Sequence, residues 1–199
     1  MERSTASLVR ERLEVAPSTT FVVAAEIDAP VGAVEAELSR LARRGSIVRV
    51  RKGLYWKGPR TRLGIARPDP EQIALHVVGR GGGPAGITAA SWLGLTTQVP
   101  GRPTIAVPGR APTPIPGVRF SSRAFSRREL GLTPLEVAVI EVLRDWPDTV
   151  EADIDAFGDR LVELIATGQV RFDKIVDAVA AEHHVGLRER WAALRLVVG

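Results

Sequence analysis

The chain has 199 residues, of which 45% are apolar and 25% are charged, a composition typical of a folded protein rather than a disordered one. It contains no cysteine, which excludes disulfides and thiolate chemistry and fits a reducing, cytoplasmic environment. No stretch reaches the roughly 18 apolar residues that a membrane span requires. We therefore expect a cytoplasmic protein of one or two domains without a membrane partner.

The net charge of +4 is unevenly distributed along the chain. Lys and Arg outnumber Asp and Glu by 13 to 7 in residues 1–67 and by 7 to 3 in residues 68–132, whereas residues 133–199 reverse the balance to 7 against 13. Between Glu37 and Asp69 there are ten basic residues and no acid. Charged surface elements usually mix both signs, so a solvated face explains this run poorly, and a polyanionic partner explains it better.

The segment before the basic run predicts helices and one short strand. "ASLVRERLEV" has apolar residues on one helical face, and "STTFVV" is rich in residues that favour strands. "AAEIDA" allows a brief helix, and a longer helix is predicted from Pro30 to Gly45. Val34, Leu38 and Leu41 recur in the longer helix at spacings of four and three, which indicates a buried stripe.

A basic hairpin follows the longer helix. "SIVRV" and "LYWK" are joined by a loop with Arg51 and Lys52 at or near its tip. Helix, short helix, longer helix and basic hairpin is the order of a winged helix-turn-helix, in which the longer helix enters the major groove of DNA. We therefore predict an α+β protein whose residues 1–60 form a winged helix-turn-helix domain.

The candidate DNA contacts of this domain are all basic. They are Arg40, Arg43 and Arg44 from the helix, and Arg49, Arg51 and Lys52 from the hairpin, or wing. Arginine binds phosphate as well as guanine, so base specificity stays open. For Tyr55 and Trp56 there are two possibilities: that one of them packs the hairpin against the helices, which we favour, or that they stack on bases.

A second α+β domain is predicted for residues 61–199, after a linker rich in Gly, Pro and Arg near Gly58 to Asp69. "PEQIALHVVG" and "AGITAASWLGL" predict helices, and "TIAVPG" and "VRFSSR" predict short strands. Thr133 is a plausible cap for a helix that has Pro134 in its first turn. The C-terminal part is predicted to be helical, with patterns around residues 150–167, 172–183 and 186–198.

Three features invite a catalytic interpretation that their details do not favour. Gly79–Gly86 lacks the phosphate-loop pattern and contains a proline, which favours a flexible connection between helices. His183 and His184 at a helix end favour contacts with free carbonyls and solvent over a metal. The acids of "DTVEADIDAFGD" do not match a calcium loop. We therefore expect no cofactor, no metal and no enzymatic activity.

Three segments together resemble the AbiEi-like antitoxins of bacterial type IV toxin-antitoxin systems. They are "LSRLARRGSIVRVRKGLYW", "GPAGITAASWLGLTTQVP" and "LTPLEVAVIEVLRDW". The resemblance spans about residues 20–146, and the combination of the first segment with "LGLTTQVP" is its specific part.

The resemblance implies a protein with two functions. The winged helix would bind inverted repeats in its own promoter through the six basic residues and repress transcription, and the C-terminal domain would counter a cognate nucleotidyltransferase toxin. Whether the toxin is held in a stable complex stays open. The family is usually described as acting without one, whereas the acidic C-terminal segment would suit a basic partner.

Two other functions remain as alternatives. One is an ordinary winged-helix regulator whose second domain senses a ligand. The other is a nuclease with a DNA-binding head, which would need clustered acids near a lysine or histidine. The acids of the middle segment are Asp69, Glu71 and Glu129, which are scattered along the sequence, so the nuclease is the weaker alternative.

Overall fold

The structure, a computed structural model, describes residues 3–198. The chain divides into two compact units, Met1–Asp69 and Pro70–Gly199, so residues 61–69 lie in the first unit. Both units contain helices and strands, which confirms the predicted α+β class. No helix within the described residues is long and apolar enough to cross a membrane.

The first unit begins with the predicted succession of helix, strand, short helix, longer helix and hairpin. Its elements are α1 (Thr5–Val15), β1 (Thr20–Val23), a 3-10 helix (Ala24–Glu26), α2 (Val31–Arg43), β2 (Val48–Arg51) and β3 (Leu54–Lys57). The three strands form an antiparallel sheet in the order β1-β3-β2. Two short strands, β4 (Arg60–Thr61) and β5 (Gly64–Ile65), pair in the stretch that the sequence predicted to be a linker.

The core of the first unit lies between its helices and its three-stranded sheet. Val34 and Leu38 of α2 are fully buried there together with Val9 of α1 and Tyr55 of β3. Leu41 packs against the same core but is partly exposed. The predicted apolar stripe of α2 is therefore confirmed, and it leaves the opposite face of the helix in solvent.

The second unit combines a small mixed sheet with seven helices among its described residues. Its elements are α3 (Pro70–Val78), β6 (Gly83–Ala85), α4 (Ile87–Leu93), β7 (Thr104–Pro108), β8 (Arg119–Arg123), α5 (Ser126–Glu129), α6 (Pro134–Thr149), α7 (Ile154–Ala166), α8 (Phe172–Ala181) and α9 (Val185–Val198). In this sheet, β7 pairs antiparallel with β6 and parallel with β8. Every residue of α6 from 137 to 143 is buried, which makes α6 the central element of the unit.

The start of α6 agrees with the sequence prediction. The Thr133 side chain accepts a hydrogen bond from the Glu136 amide, and the Glu136 carboxylate accepts one from the Thr133 amide. This reciprocal capping box satisfies two amides that the helix leaves without a partner. Pro134 occupies the first turn, where its missing amide costs nothing.

The glycine-rich stretch Gly79–Gly86 corrects a prediction, because it is not a flexible connection. It contains β6, whose three residues are all buried. A Cβ on Gly83 would lie 2.6 Å from the Cβ of Val137 and 2.7 Å from the Pro134 carbonyl oxygen. Glycine is therefore required for the close approach of β6 to α6. Because glycine has no side chain, the segment lacks the pattern of apolar side chains by which a strand is recognised in a sequence.

Buried arginine-glutamate pairs join four parts of the second unit. Glu141 of α6 accepts two hydrogen bonds from Arg123 of β8, at 2.8 and 2.7 Å, and one from Arg127 of α5 at 2.6 Å. Arg127 also donates to Glu182, just after α8, at 2.6 Å, and Glu182 accepts from Arg144 at 3.2 Å. Arg127 and Glu141 are 1% and 0% exposed, so each depends on the other members of the network for its hydrogen bonds.

Two of the buried carboxylates are held in the charged form. Burial would raise the pKa of Glu141, but hydrogen bonds and positive charge from two arginines outweigh it and lower the pKa below its ordinary value. Burial likewise would raise the pKa of Glu136, and hydrogen bonds from Arg171 and Thr133 lower it instead. The stability of the second unit therefore depends on both carboxylates being ionised.

The end of α6 is bent and is held by a second arginine contact. Asp145 has non-helical backbone angles, and Pro147 has no amide to donate to the carbonyl of Leu143. Arg190 of α9 donates to that carbonyl at 2.6 Å and to the carbonyl of Arg144 at 2.8 Å. The side chain thus supplies hydrogen bonds at the bend and joins α9 to α6.

We expect Glu141→Gln to lower the free energy of unfolding of the second unit by about 3–5 kcal/mol, because a buried ion pair that loses one charge leaves the other uncompensated. Urea unfolding of the full chain measures this loss. Glu163→Gln is the matched control, since Glu163 is an exposed partner of Arg160, and it should change stability by less than about 1 kcal/mol.

The pH dependence separates ionisation from simple loss of packing. A carboxylate whose pKa is lowered by folding stabilises the protein above its unfolded pKa, about 4.3, and the stabilisation is lost as the pH falls through the folded value. The difference between wild type and Glu141→Gln should therefore be constant above about pH 5.5 and shrink below about pH 4.3. A difference that is the same at pH 7 and pH 3.5 would contradict the role of its charge.

Candidate nucleic-acid interface

The six basic residues singled out by the sequence are all exposed. Arg40 and Arg43 lie in the last turn of α2, and Arg44 follows as its C-cap. Arg49 and Arg51 belong to β2, and Lys52 starts the turn to β3. The fold therefore distributes them over the end of one helix and the length of one hairpin.

Five of these six side chains have no protein partner within the part of the chain that the structure describes. These five are Arg43, Arg44, Arg49, Arg51 and Lys52. None of them makes a hydrogen bond or an ion pair with another described residue. Arg40 differs, because it forms an ion pair with Glu37, which lies three residues earlier on α2 and is nearly buried. A polyanion would thus find five free cations and one that is already partly neutralised.

Buried aromatic residues fix the hairpin to α2 and to β1. Tyr55 is fully buried, and its hydroxyl lies 2.9 Å from the hydroxyl of Ser39 on α2. Trp56 packs against Phe21 of β1 with ring centroids 4.7 Å apart and donates from its indole nitrogen to the carbonyl of Ala66 at 3.0 Å. The favoured role is confirmed for Tyr55, which packs the hairpin against α2, whereas Trp56 packs against β1, and neither ring is free to stack on a base.

Three arginines line a shallow depression on the first unit. Arg43 comes from α2, Arg49 from β2, and Arg67 from the segment after β5. Small or apolar residues supply most of the remaining lining, among them Leu63 and Ile65. None of the described residues that line it carries a carboxylate, so the positive potential there is not offset locally.

Acids approach the basic surface at two points that the sequence pattern did not reveal. The Glu35 carboxylate reaches the turn of the β2–β3 hairpin, where a Cβ on Gly53 would lie 3.4 Å from it. Glu37 pairs with Arg40, as described above. Both acids precede the acid-free run in sequence, and the helix brings them back beside it.

Three further exposed basic residues of the first unit were missed as site residues because their segment was predicted to be a linker. Arg60, Arg62 and Arg67 are exposed and belong to or follow the β4–β5 hairpin. The signal that could have found them is the run itself, since the absence of acids extends without interruption to Asp69.

The second unit has an open cleft with a different composition. Arg102, Arg119 and Arg123 line it together with Asp145 and Thr88. Arg123 is already paired with Glu141, and Thr88 accepts a hydrogen bond from the backbone of Thr104. Burial, followed by the nearby charge of Glu141, raises the pKa of Asp145. Arg102 and Arg119 are exposed and offer positive charge to a small anion.

The prediction for the two histidines, contacts with free carbonyls and solvent at a helix end, is correct only for the solvent exposure of His183. His184 accepts a hydrogen bond at Nδ1 from the Leu187 amide, 3.1 Å away, at the start of α9, instead of meeting free carbonyls at a helix end. His183 is exposed. Among the residues that the structure describes, no group of three or more His, Asp or Glu side chains is placed to hold a metal ion.

Comparison with known proteins shows a distant likeness in structure. No family model and no curated protein matches the chain. Among solved structures, it is similar to the crystal structure of the RV2827C protein from Mycobacterium tuberculosis, with 16% sequence identity and a TM-score of 0.49. The alignment covers 100% of this chain and 78% of that one. Similarity at this level leaves the function to be argued from the residues.

Proposed function

We propose that the protein is an antitoxin and autorepressor, not an enzyme. Its first unit binds duplex promoter DNA at inverted repeats, and its second unit counters a cognate nucleotidyltransferase toxin. The observation that carries the DNA-binding half is the acid-free run of ten basic residues, which folds into one helix end and two hairpins and leaves the charges of five candidate residues unpaired. Uncompensated basic side chains on one surface are what a DNA backbone requires.

The element order of the first unit supports a winged helix-turn-helix. The unit has a helix, a strand, a short helix and a longer helix followed by a hairpin, and β1 pairs with the second strand of that hairpin. In this kind of domain the longer helix, here α2, enters the major groove. The exposed face of α2 begins with Gly32, Ala33 and Ala36, which would allow close approach to a groove.

The candidate residues differ in the contacts that they can make. Arg51 and Lys52 lie at the end of the hairpin, where they suit phosphates and would position the protein without reading sequence. Arg43 is unpaired near the end of α2 and can bind either a phosphate or guanine. Arg40 would have to exchange the Glu37 carboxylate for DNA, so we expect it to contribute less to affinity than Arg43.

The antitoxin half of the proposal rests on the resemblance across about residues 20–146. The second and third resembling segments correspond to β6 with α4 and to α6, and their buried residues belong to one core. These segments support the fold of the second unit, so residues that act on a toxin should be sought on its surface. Direct binding of the toxin stays outside the proposal.

A ligand-sensing regulator is the second candidate function, and one observation favours it. The cleft that contains Arg102 and Arg119 could take a small anion. Such a regulator would share the DNA-binding unit, so DNA binding alone does not separate the two functions. Protection from a toxin does separate them.

DNA binding should depend steeply on salt. Five phosphate contacts predict a slope of about −4 to −5 for log affinity against log salt, from roughly 0.9 per contact. Replacing Arg51 and Lys52 by alanine should reduce the slope by about 2 and weaken specific and random duplexes alike. Fluorescence anisotropy over a salt series measures both quantities.

The control for the wing variant is the double substitution Arg110→Ala and Arg195→Ala in the second unit, which removes two exposed arginines. It should bind DNA as the wild type does. Circular dichroism should be unchanged for both variants because all four side chains are exposed. Affinity that is insensitive to salt, or a wing variant that binds normally, would count against the assignment.

A growth assay combined with a promoter-reporter assay tests the antitoxin directly. At matched expression, the full chain should restore growth to cells that express the toxin, and the Arg51→Ala, Lys52→Ala variant should restore growth yet fail to repress its promoter. The reason is that the two activities are assigned to different units. Failure of the wild type to protect against a nucleotidyltransferase encoded beside it would favour the ligand-sensing regulator.

A further inference from the structure

The β4–β5 hairpin presents an apolar side chain at its tip. Arg62 and Leu63 form the two-residue loop between Thr61 and Gly64, and Leu63 is 100% exposed. A single exposed leucine is common on protein surfaces. Leu63, however, lies at the tip of a basic hairpin, where folding buries none of its apolar surface. A role in binding would account for an apolar residue at this position.

Hydrogen bonds within the hairpin fix this outward position. The Leu63 amide donates to the Thr61 hydroxyl at 3.1 Å, and that hydroxyl donates to the Gly64 carbonyl at 2.8 Å. Gly64 has a φ of +110°, a conformation that favours glycine, so the turn depends on the residue at this position. Leu63 is therefore held at the tip by the local structure.

The base of the hairpin is attached to the three-stranded sheet. The Ala66 amide donates to the Pro59 carbonyl at 3.0 Å, and the Ala66 carbonyl accepts from Trp56 of β3. A Cβ on Gly58 would collide with the Ala66 carbonyl oxygen and lie 2.9 Å from the Ile65 side chain. The hairpin thus packs closely on the sheet that carries the first wing and is positioned relative to α2.

The surroundings of the tip are basic. Leu63 lines the same depression as Arg43, Arg49 and Arg67, and Arg62 is its neighbour in the loop. Both hairpins and the end of α2 therefore border one surface, and no carboxylate lines the depression between them among the described residues. Charge of this sign favours a nucleic acid over another copy of the same surface, which would repel it.

We propose that the β4–β5 hairpin is a second wing that enters the minor groove of DNA, with Leu63 placed against the groove wall or a base step and Arg62 inside the groove. The proposal rests on DNA binding by the first unit and extends it to a second groove. The minor groove is about 6 Å wide and admits narrow elements, and proteins that bind it often combine arginine with an apolar wedge. A narrow A·T-rich groove attracts arginine most strongly, so the hairpin should favour A·T pairs beside the site of α2.

The test uses the full chain and a duplex selected by it from a random-sequence pool. Dimethyl sulfate reacts with guanine N7 in the major groove and adenine N3 in the minor groove, so one footprint reports on both grooves. The test variant is Arg62→Ala with Leu63→Ser, and the matched control is Arg110→Ala with Val99→Ser in the second unit. All four residues are exposed, so both variants should fold as the wild type does.

We expect the wild type to protect guanines and, beside them, adenines. The hairpin variant should keep the guanine protection, lose the adenine protection and bind roughly tenfold more weakly, while the control should match the wild type. Adenine protection that persists in the variant would overturn the second wing and leave the proposed function intact. A variant that changes the sedimentation mass of the free protein instead would assign Leu63 to self-association and would also overturn it. A wild type that protects neither groove would contradict DNA binding itself.

Discussion

The pairing of buried glutamates with arginines is the constraint on which the second unit depends. Glu136 is held by Arg171, and Glu141 and Glu182 share Arg127. A buried charge without a partner costs several kcal/mol, so the elements that carry these residues must meet in one arrangement. The pairs connect β8, α5, α6 and the segments before and after α8. The apolar core alone would allow these elements to shift more freely against one another.

This pairing also changes the meaning of the charge distribution along the chain. Residues 133–199 have six more acids than bases, which suggests an acidic surface. Three of those acids, Glu136, Glu141 and Glu182, are buried and engaged with arginines, and two of the arginines come from the basic middle segment. The surface of the second unit is therefore less acidic than the sequence suggests, and its suitability for a basic partner is weaker.

The first unit differs, because most of the basic side chains singled out by the sequence have no acid partner among its described residues. Glu37 neutralises Arg40, and Glu35 approaches the hairpin turn. The other candidate cations find no counter-charge among the described residues and would obtain it from phosphates. Of the candidate cations, Arg40 is thus paired with Glu37, whereas the others stay available to a ligand.

The sequence predicted features that depend on nearby residues and missed those that depend on distant ones. The stripe of α2, the β2–β3 hairpin and the cap of α6 follow from local spacing and capping chemistry, and the structure contains them. Strand β6 was missed because its glycine, Gly83, is selected by packing against α6. The pair of Arg127 and Glu182 was missed because 55 positions separate the two residues.

Hydrogen exchange of the full chain with and without a random-sequence duplex, at low salt, tests most directly whether the first unit is the DNA-binding part. Backbone amides exchange more slowly where a ligand covers them or stabilises their hydrogen bonds. We expect slower exchange in peptides from residues 31–67 and unchanged exchange in peptides from residues 133–198. Slower exchange confined to the second unit, or none in either unit at a DNA concentration that saturates binding, would contradict DNA binding through α2 and the hairpins.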